Sequence, residues 1–331
     1  MNCCRLCLIL SLIAAGRSQP PAPRAAIPAI LGAFEHYPIV ALGEDHRHQQ
    51  IHDFIVSLVS AANFPDHVND IVVEFGAARY QGLMDRYIAG EAVSLDQLRQ
   101  VWRDTVNILV WDAPVYQRFF ETVRTVNQRS PSRKQLRVLL GDPEFDWRQV
   151  HTRQQWERIV RQRDAHPTEV VEKEVLAKHR HALLVYGSSH LNREGAYDRV
   201  DRKPQTKFNL TETIEKNRPG TVFVIWPHTG NWGAITQVDA RLASWRAPAL
   251  ALLKGTWLGA TAIGEPGTSP TMQELADALL YLGPVASETY SKPPDTLYAD
   301  PAYLRELLRR DRIQGGFDRT ELQRLVGNRA R

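Results

Sequence analysis

The chain has 331 residues, 43% of them hydrophobic, with 41 basic against 37 acidic side chains and a formal net charge of +4. A chain of this length and composition builds a packed core rather than a disordered polymer. Its charges are interspersed, with no basic stripe or tail, so there is no electrostatic basis for a nucleic-acid partner.

The first residues are a short basic start, Met1 to Arg5, followed by an apolar run from Leu6 to Ala15 that ends in small residues. This is the pattern of a secretory leader, and the run is too short to cross a bilayer of about 30 Å as a helix. The expected organisation is a signal peptide over residues 1–18, a Pro-rich extended linker over 19–30 and a single α/β domain over 31–325. The protein would be exported, periplasmic or secreted, with no stable membrane anchor after leader removal. Cys3, Cys4 and Cys7 all fall inside the leader. The mature chain would then carry no disulfide and depend on its core.

Next, short Val, Ile and Leu runs recur with room for a helix between them: Pro38 to Leu42, Asp70 to Phe75, Leu136 to Leu140, Ala182 to Tyr186, Thr221 to Trp226 and Pro248 to Leu253. Near-continuous apolar runs suit strands buried on both faces. Between the first two, Ile51, Phe54, Ile55, Leu58, Val59 and Ala62 repeat at helical spacing, which predicts an amphipathic helix from His48 to Ala62 with a polar face on Gln49, His52 and Asp53. His48 and His52 have the spacing of a helical metal pair, but without an H-E-x-x-H motif they read as a solvated face. Strand, helix, strand repeats build a mainly parallel sheet flanked by helices in three layers. The longer connection from Ala77 to Arg133 holds helical patterns at Tyr80 to Ile88 and Val115 to Asn127 and can cover the carboxyl ends of the strands. Trp102 and Trp111 within it suit a core or a substrate-facing cover. Helices are also expected over Met272 to Leu282 and Tyr303 to Leu308, with a break at Gly315-Gly316. Asn209-Leu210-Thr211 matches a glycosylation sequon, a pattern short enough to arise by chance.

In open parallel sheets, ligands bind beyond the carboxyl ends of the strands. The first five expected strands end in Gly43-Glu44-Asp45-His46, Glu74, Gly141-Asp142-Pro143-Glu144, Gly187-Ser188-Ser189-His190 and Trp226-Pro227-His228. Glu44, His46, Glu74 and His190 are therefore the candidate catalytic residues, with Ser188, Ser189, Asp142 and His228 as candidate substrate contacts. His46, placed at a helix N-terminus, would be neutral and able to act as a base. Glu74, at the end of a buried strand, needs a partner or a function, and Arg79 is the structural partner to expect. The Gly-Ser-Ser turn could present N–H groups and hydroxyls to an oxyanion. No G-x-S-x-G elbow is present, so water rather than serine is the expected nucleophile.

Ala41 to His46, Val72 to Phe75, Leu139 to Asp142, Arg163-Asp164 and Val185 to Leu191 resemble, in that order, the motifs of the erythromycin esterase, ChaN and Tiki superfamily. Leu83 to Gly90, Trp102 and Val123 to Asn127 look most like the esterase branch, and Asp277 to Gly283 looks like a later family segment. The resemblance spans roughly Ile39 to Leu191. It implies a mixed α/β fold and, in the esterase branch, a histidine at the position of His46 that activates water to open an ester. Tiki-type relatives imply a metal-dependent peptidase, and ChaN-type relatives a haem-binding protein. The cofactor is thus left open among none, a divalent metal and haem, and the partner is a small-molecule or peptide substrate. This sequence departs from the esterase pattern in having one residue rather than two between Glu44 and His46, and Arg47 where a glycine usually follows.

Overall fold

Each of the six apolar runs forms a strand in the computed structural model, which describes residues 18–129, 134–193, 209–231, 235–264 and 269–315. The leader and its cysteines lie outside the described residues, as does the end of the domain beyond Gly315. The strands are β1 (Arg24–Ala25), β2 (Ile39–Glu44), β3 (Asp70–Ala77), β4 (Arg137–Asp142), β5 (Ala182–Gly187), β6 (Val222–Pro227), β7 (Ala249–Leu252) and β8 (Ala278–Tyr281). They form one sheet in the order β1-β7-β8-β6-β2-β5-β3-β4. β8, β6, β2, β5, β3 and β4 run parallel, whereas β7 is antiparallel to both β8 and β1.

Alternation along each strand sorts side chains onto two faces. Val40, Leu42, Ile71, Val73, Leu183 and Val185 join the helices Gln49–Val59 and Pro114–Arg129 in one core, while Ile39, Ala41, Val72, Leu184 and Tyr186 join the helix Leu210–Asn217 in the other. This is the three-layer α/β architecture expected. A third, smaller cluster packs the helix Pro301–Gln314 against Ile108, Leu109, Trp147 and Val150, forming a helical cover beyond the end of β4. At the opposite, amino end of the sheet, Arg180 grips Asp70 through Nε and Nη2, at 2.5 and 2.8 Å.

Three expectations are corrected. Met272 to Leu282 is not one helix but a single turn, Met272–Leu275, followed by β8. The run Ala278-Leu279-Leu280-Tyr281 is buried on both faces, and a short apolar run carries no periodicity that separates strand from helix. The stretch 19–30 is extended only as far as β1, after which Ala26–Ala33 is helical and buries Ala26, Ile30 and Leu31 in the core. The sixth expected strand, β7, turns back antiparallel at the sheet edge. The break at Gly315 is as expected: it ends the helix with a φ of +101°, a conformation glycine adopts freely. No helix among the described residues is long and apolar enough to cross a membrane.

Candidate active site

β2, β5, β3 and β4 are neighbours in the sheet, so their carboxyl ends bring Glu44, His190, Glu74 and Asp142 side by side. Glu44 is the last residue of β2 and lies buried. His46 donates Nδ1–H to Glu44 Oε1 over 2.5 Å, and His52 donates from Nε2 to Oε2 over 3.2 Å. Both carboxylate oxygens are therefore used. Burial opposes ionisation of Glu44, but the charge of His46 and the bonds from both histidines outweigh it and hold its pKa at about 2.

Burial likewise disfavours charge on His46, yet the Glu44 charge and hydrogen bond, with Glu74 beyond, outweigh it and raise the ring to about 9. This overturns the neutral His46 expected from a helix terminus. The helix begins only at Gln49 and is capped by His48, whose Nδ1 accepts from the Ile51 N–H, so the dipole is remote while Glu44 is in contact. The pair's stability follows from these directions. The His46 contribution is fully present below its ordinary value of 6.5 and lost as pH rises through about 9. That of Glu44 is present above 4.5 and lost as pH falls through about 2.

Glu74 belongs to the opposite face of the sheet, in step with Val72. Its Oε1 pairs with Arg163, and its Oε2 accepts the Gly187 N–H over 2.8 Å. Burial pushes the carboxyl up, but His190, Arg163 and His46 together hold it below the usual range. Arg163, not Arg79, is its partner; Arg79 instead pairs with Asp146. His190 donates Nδ1–H to Asp164 Oδ1 over 2.7 Å and holds Nε2 3.5 Å from Glu74 Oε1. The same Asp164 oxygen accepts the Leu210 N–H at the first turn of the helix Leu210–Asn217, whose positive end favours a carboxylate there. Asn209 caps that helix and also ties to the Asn192 carbonyl, so the buried sequon asparagine is spent on the fold.

The two histidine–carboxylate pairs meet over Gly187. A Cβ built there would lie 3.2 Å from Glu74 Oε2, 3.3 Å from His46 Cε1 and 3.7 Å from His190 Cδ2. Gly187 has φ −51° and ψ 133°, which any residue adopts, so glycine is required by the approach and not by the backbone. Gly187→Ala is expected to leave stability within about 1 kcal/mol while moving Glu74 or His46 a few tenths of an ångström and so shifting the His46 titration. Chemical denaturation beside an NMR titration of His46 checks this, and an unchanged midpoint would contradict the convergence.

The remaining expected residues divide. Ser188 packs its Oγ against Gly43, which has no room for a Cβ, and Ser189 is exposed. Asp142 is buried and accepts the Val106 N–H over 2.8 Å, and burial pushes its pKa up to about 8. It anchors the loop at Val106, and its charge interacts with Arg163 and Glu74. His228 is not part of this group. It is buried beyond β6, with Nε2 2.9 Å from Asp239 and its ring beside Tyr281. His48 and His52 are not solvated either; both are buried. Trp102 is core, whereas Trp111, equally buried, sets its ring edge-on to His46 at 4.6 Å between centroids and leaves Nε1 without a partner among the described residues. Sequence reasoning offered Trp111 as core or substrate-facing cover and Arg163-Asp164 only as one of the ordered motifs, and it placed His52 on a solvated face rather than at the site.

Among the described residues, Glu44, His46 and Glu74 are the trio whose ligand atoms lie within 4.8 Å of one another. They do not fit a cation well. Every oxygen of the two carboxylates already accepts a hydrogen bond, and the Arg163 guanidinium already neutralises Glu74. A haem would need an apolar slot beside an open histidine face, and charged Glu44, Glu74 and Arg163 border these two histidines instead.

No protein-family model matches the sequence, and no curated protein is similar to it. Among solved structures, erythromycin esterase EreC in its open conformation superposes with a TM-score of 0.55 at 10% identity, over 80% of this chain and 94% of that one. A succinoglycan biosynthesis protein gives 0.55 at 10%, over 83% and 96%. ChaN of Campylobacter jejuni, seen with cofacially bound haem, gives 0.41 at 13%, over 64% and 89%, too loose a fit to argue from. The chain has an erythromycin esterase-like α/β fold, the likeness its ordered motifs led us to expect.

Proposed function

We propose that the protein is a hydrolase of ester or amide bonds that uses an activated water. The observation that carries this reading is the convergence of two histidine–carboxylate pairs, His46 with Glu44 and His190 with Asp164, over Gly187. His190, with Nδ1–H given to Asp164, offers Nε2 as the base that takes a proton from water. The water oxygen attacks the substrate carbonyl carbon. His46, held as an imidazolium by Glu44, stabilises the developing oxyanion and donates its Nε2 proton to the leaving group. Glu74, fixed by Arg163 and the Gly187 N–H, holds its negative charge 3.5 Å from His190 Nε2 and stabilises the imidazolium that forms when His190 takes the proton. After product leaves, His190 returns its proton to solvent and His46 takes one up. The saturated carboxylates favour this reading over a metal-dependent peptidase, and the charged surroundings of both histidines favour it over a haem carrier.

An acid with a pKa of about 9 makes kcat/KM fall as pH rises through that value. A screen of ester, lactone and peptide libraries, run with and without a chelator and followed across pH, tests the reading. Turnover that survives chelation and declines above about pH 9 is the expected result. Turnover that depends on added metal, or a Soret band in the purified protein, would count against it. Export is part of the same proposal, resting on the leader pattern at residues 1–18. Protein recovered outside the cytoplasm is expected to lack that segment, and N-terminal sequencing that began at Met1 would contradict it.

A further inference from the structure

We infer that Tyr116 is a positioning residue whose hydroxyl holds the Arg47 peptide in the left-handed conformation that presents His46 to the site. The inference rests on the hydrolase reading for its kinetic consequence, but not for its structural one.

Arg47 follows His46 directly and has a φ of +68°. A residue with a Cβ stays in that region only when its surroundings over-determine it. Here the constraints come from the backbone. The Arg47 N–H donates to Tyr116 Oη over 2.9 Å, and the Arg47 carbonyl accepts the Ser291 N–H over 2.8 Å. The Gln49 N–H donates to the Thr289 carbonyl, so residues 289–291 run as a strap across the turn that carries His46. The Arg47 side chain is exposed, whereas Tyr116 is wholly buried. The conformation is thus imposed from the core and not by the arginine itself.

The Tyr116 ring touches the other supports of His46 as well. It lies edge-on to His52, at 4.7 Å, and His52 holds Glu44. It also lies edge-on to Trp111, at 5.0 Å, and Trp111 flanks the His46 ring. Burial, reinforced by the Glu44 charge, pushes the Tyr116 pKa far up, so the phenol stays neutral and keeps its acceptor lone pairs on the Arg47 N–H. One hydroxyl thereby fixes the peptide after His46 while its ring fixes the neighbours of Glu44 and His46. A glycine at this position would adopt the same φ without help.

The test uses Tyr116→Phe, which keeps the ring and deletes the acceptor. It is expected to lower kcat about tenfold with KM little changed, and to move the NMR titration midpoint of the His46 ring toward its ordinary value. Adding Arg47→Gly to Tyr116→Phe is expected to restore most of both, because glycine needs no clamp at this φ. Arg47→Val alters only an exposed side chain and disfavours the left-handed region, so it should reproduce the loss even if Tyr116→Phe folds poorly. A wild-type His46 titration in Tyr116→Phe or in Arg47→Val would overturn the inference, as would a double variant no better than Tyr116→Phe. Because the titration is read without substrate, it also separates the two proposals. A shifted midpoint in a protein that hydrolyses nothing would sink the hydrolase reading and leave the positioning role standing.

Discussion

His46→Ala and His190→Ala are each expected to lower turnover about a thousandfold, with the double variant falling little further. The two residues lie on neighbouring strand ends and meet at one glycine, so under the hydrolase proposal they form a single catalytic unit in which loss of either member removes most of what the other supplies. The stability cost should be on the order of 1 kcal/mol for His190→Ala and about 2–3 kcal/mol for His46→Ala, which takes from buried Glu44 the charge that holds it ionised. Without His46, Glu44 keeps the His52 bond; without His190, Glu74 keeps Arg163 and the Gly187 N–H. Thermal melts and turnover of the four proteins decide the matter. Two destabilised variants with unchanged activity per folded molecule would mean that the histidines are packing residues.

The parts of this site that were legible in the sequence are those a strand end announces. Glu44, Glu74 and His190 each follow a continuous Val, Ile or Leu run, and such runs are strands because both faces are buried. The supporting groups carry no comparable mark. Arg163 and Asp164 sit between helices in the connection from β4 to β5, and only the fold returns them to Glu74 and His190. His52 did leave a signal, since on a helical wheel it lies about 20° from Val59 and so on the rim of the apolar arc. The protonation state of His46 was misjudged for a physical reason. A carboxylate in contact at 2.5 Å outweighs the partial charge of a helix end that starts three residues later. β8 was hidden because Ala278 to Tyr281 is too short and too uniformly apolar to show a period.

Stability should depend most on a pair at the other end of the sheet. Asp70 opens β3, and Arg180 lies just before β5, the strand hydrogen-bonded to it, so their two-pronged contact joins neighbouring strands at their amino ends. Asp70 is completely buried, while the Arg180 side chain keeps 29% of its surface exposed. The two halves of the pair are therefore unequal. Arg180→Ala strands a buried carboxylate and is expected to cost about 4–5 kcal/mol, whereas Asp70→Ala leaves a guanidinium that can turn to water and should cost nearer 3 kcal/mol. The double variant should cost less than the sum of the singles, since no charge is left uncompensated. Turnover per folded molecule should be unchanged in all three, because a six-residue strand places the pair about 20 Å from Gly187. Urea unfolding followed by circular dichroism measures the three values. Equal costs for the two single variants would show that the burial asymmetry does not govern the pair, and a loss of activity in the folded fraction would show that the amino ends of the strands are coupled to the site.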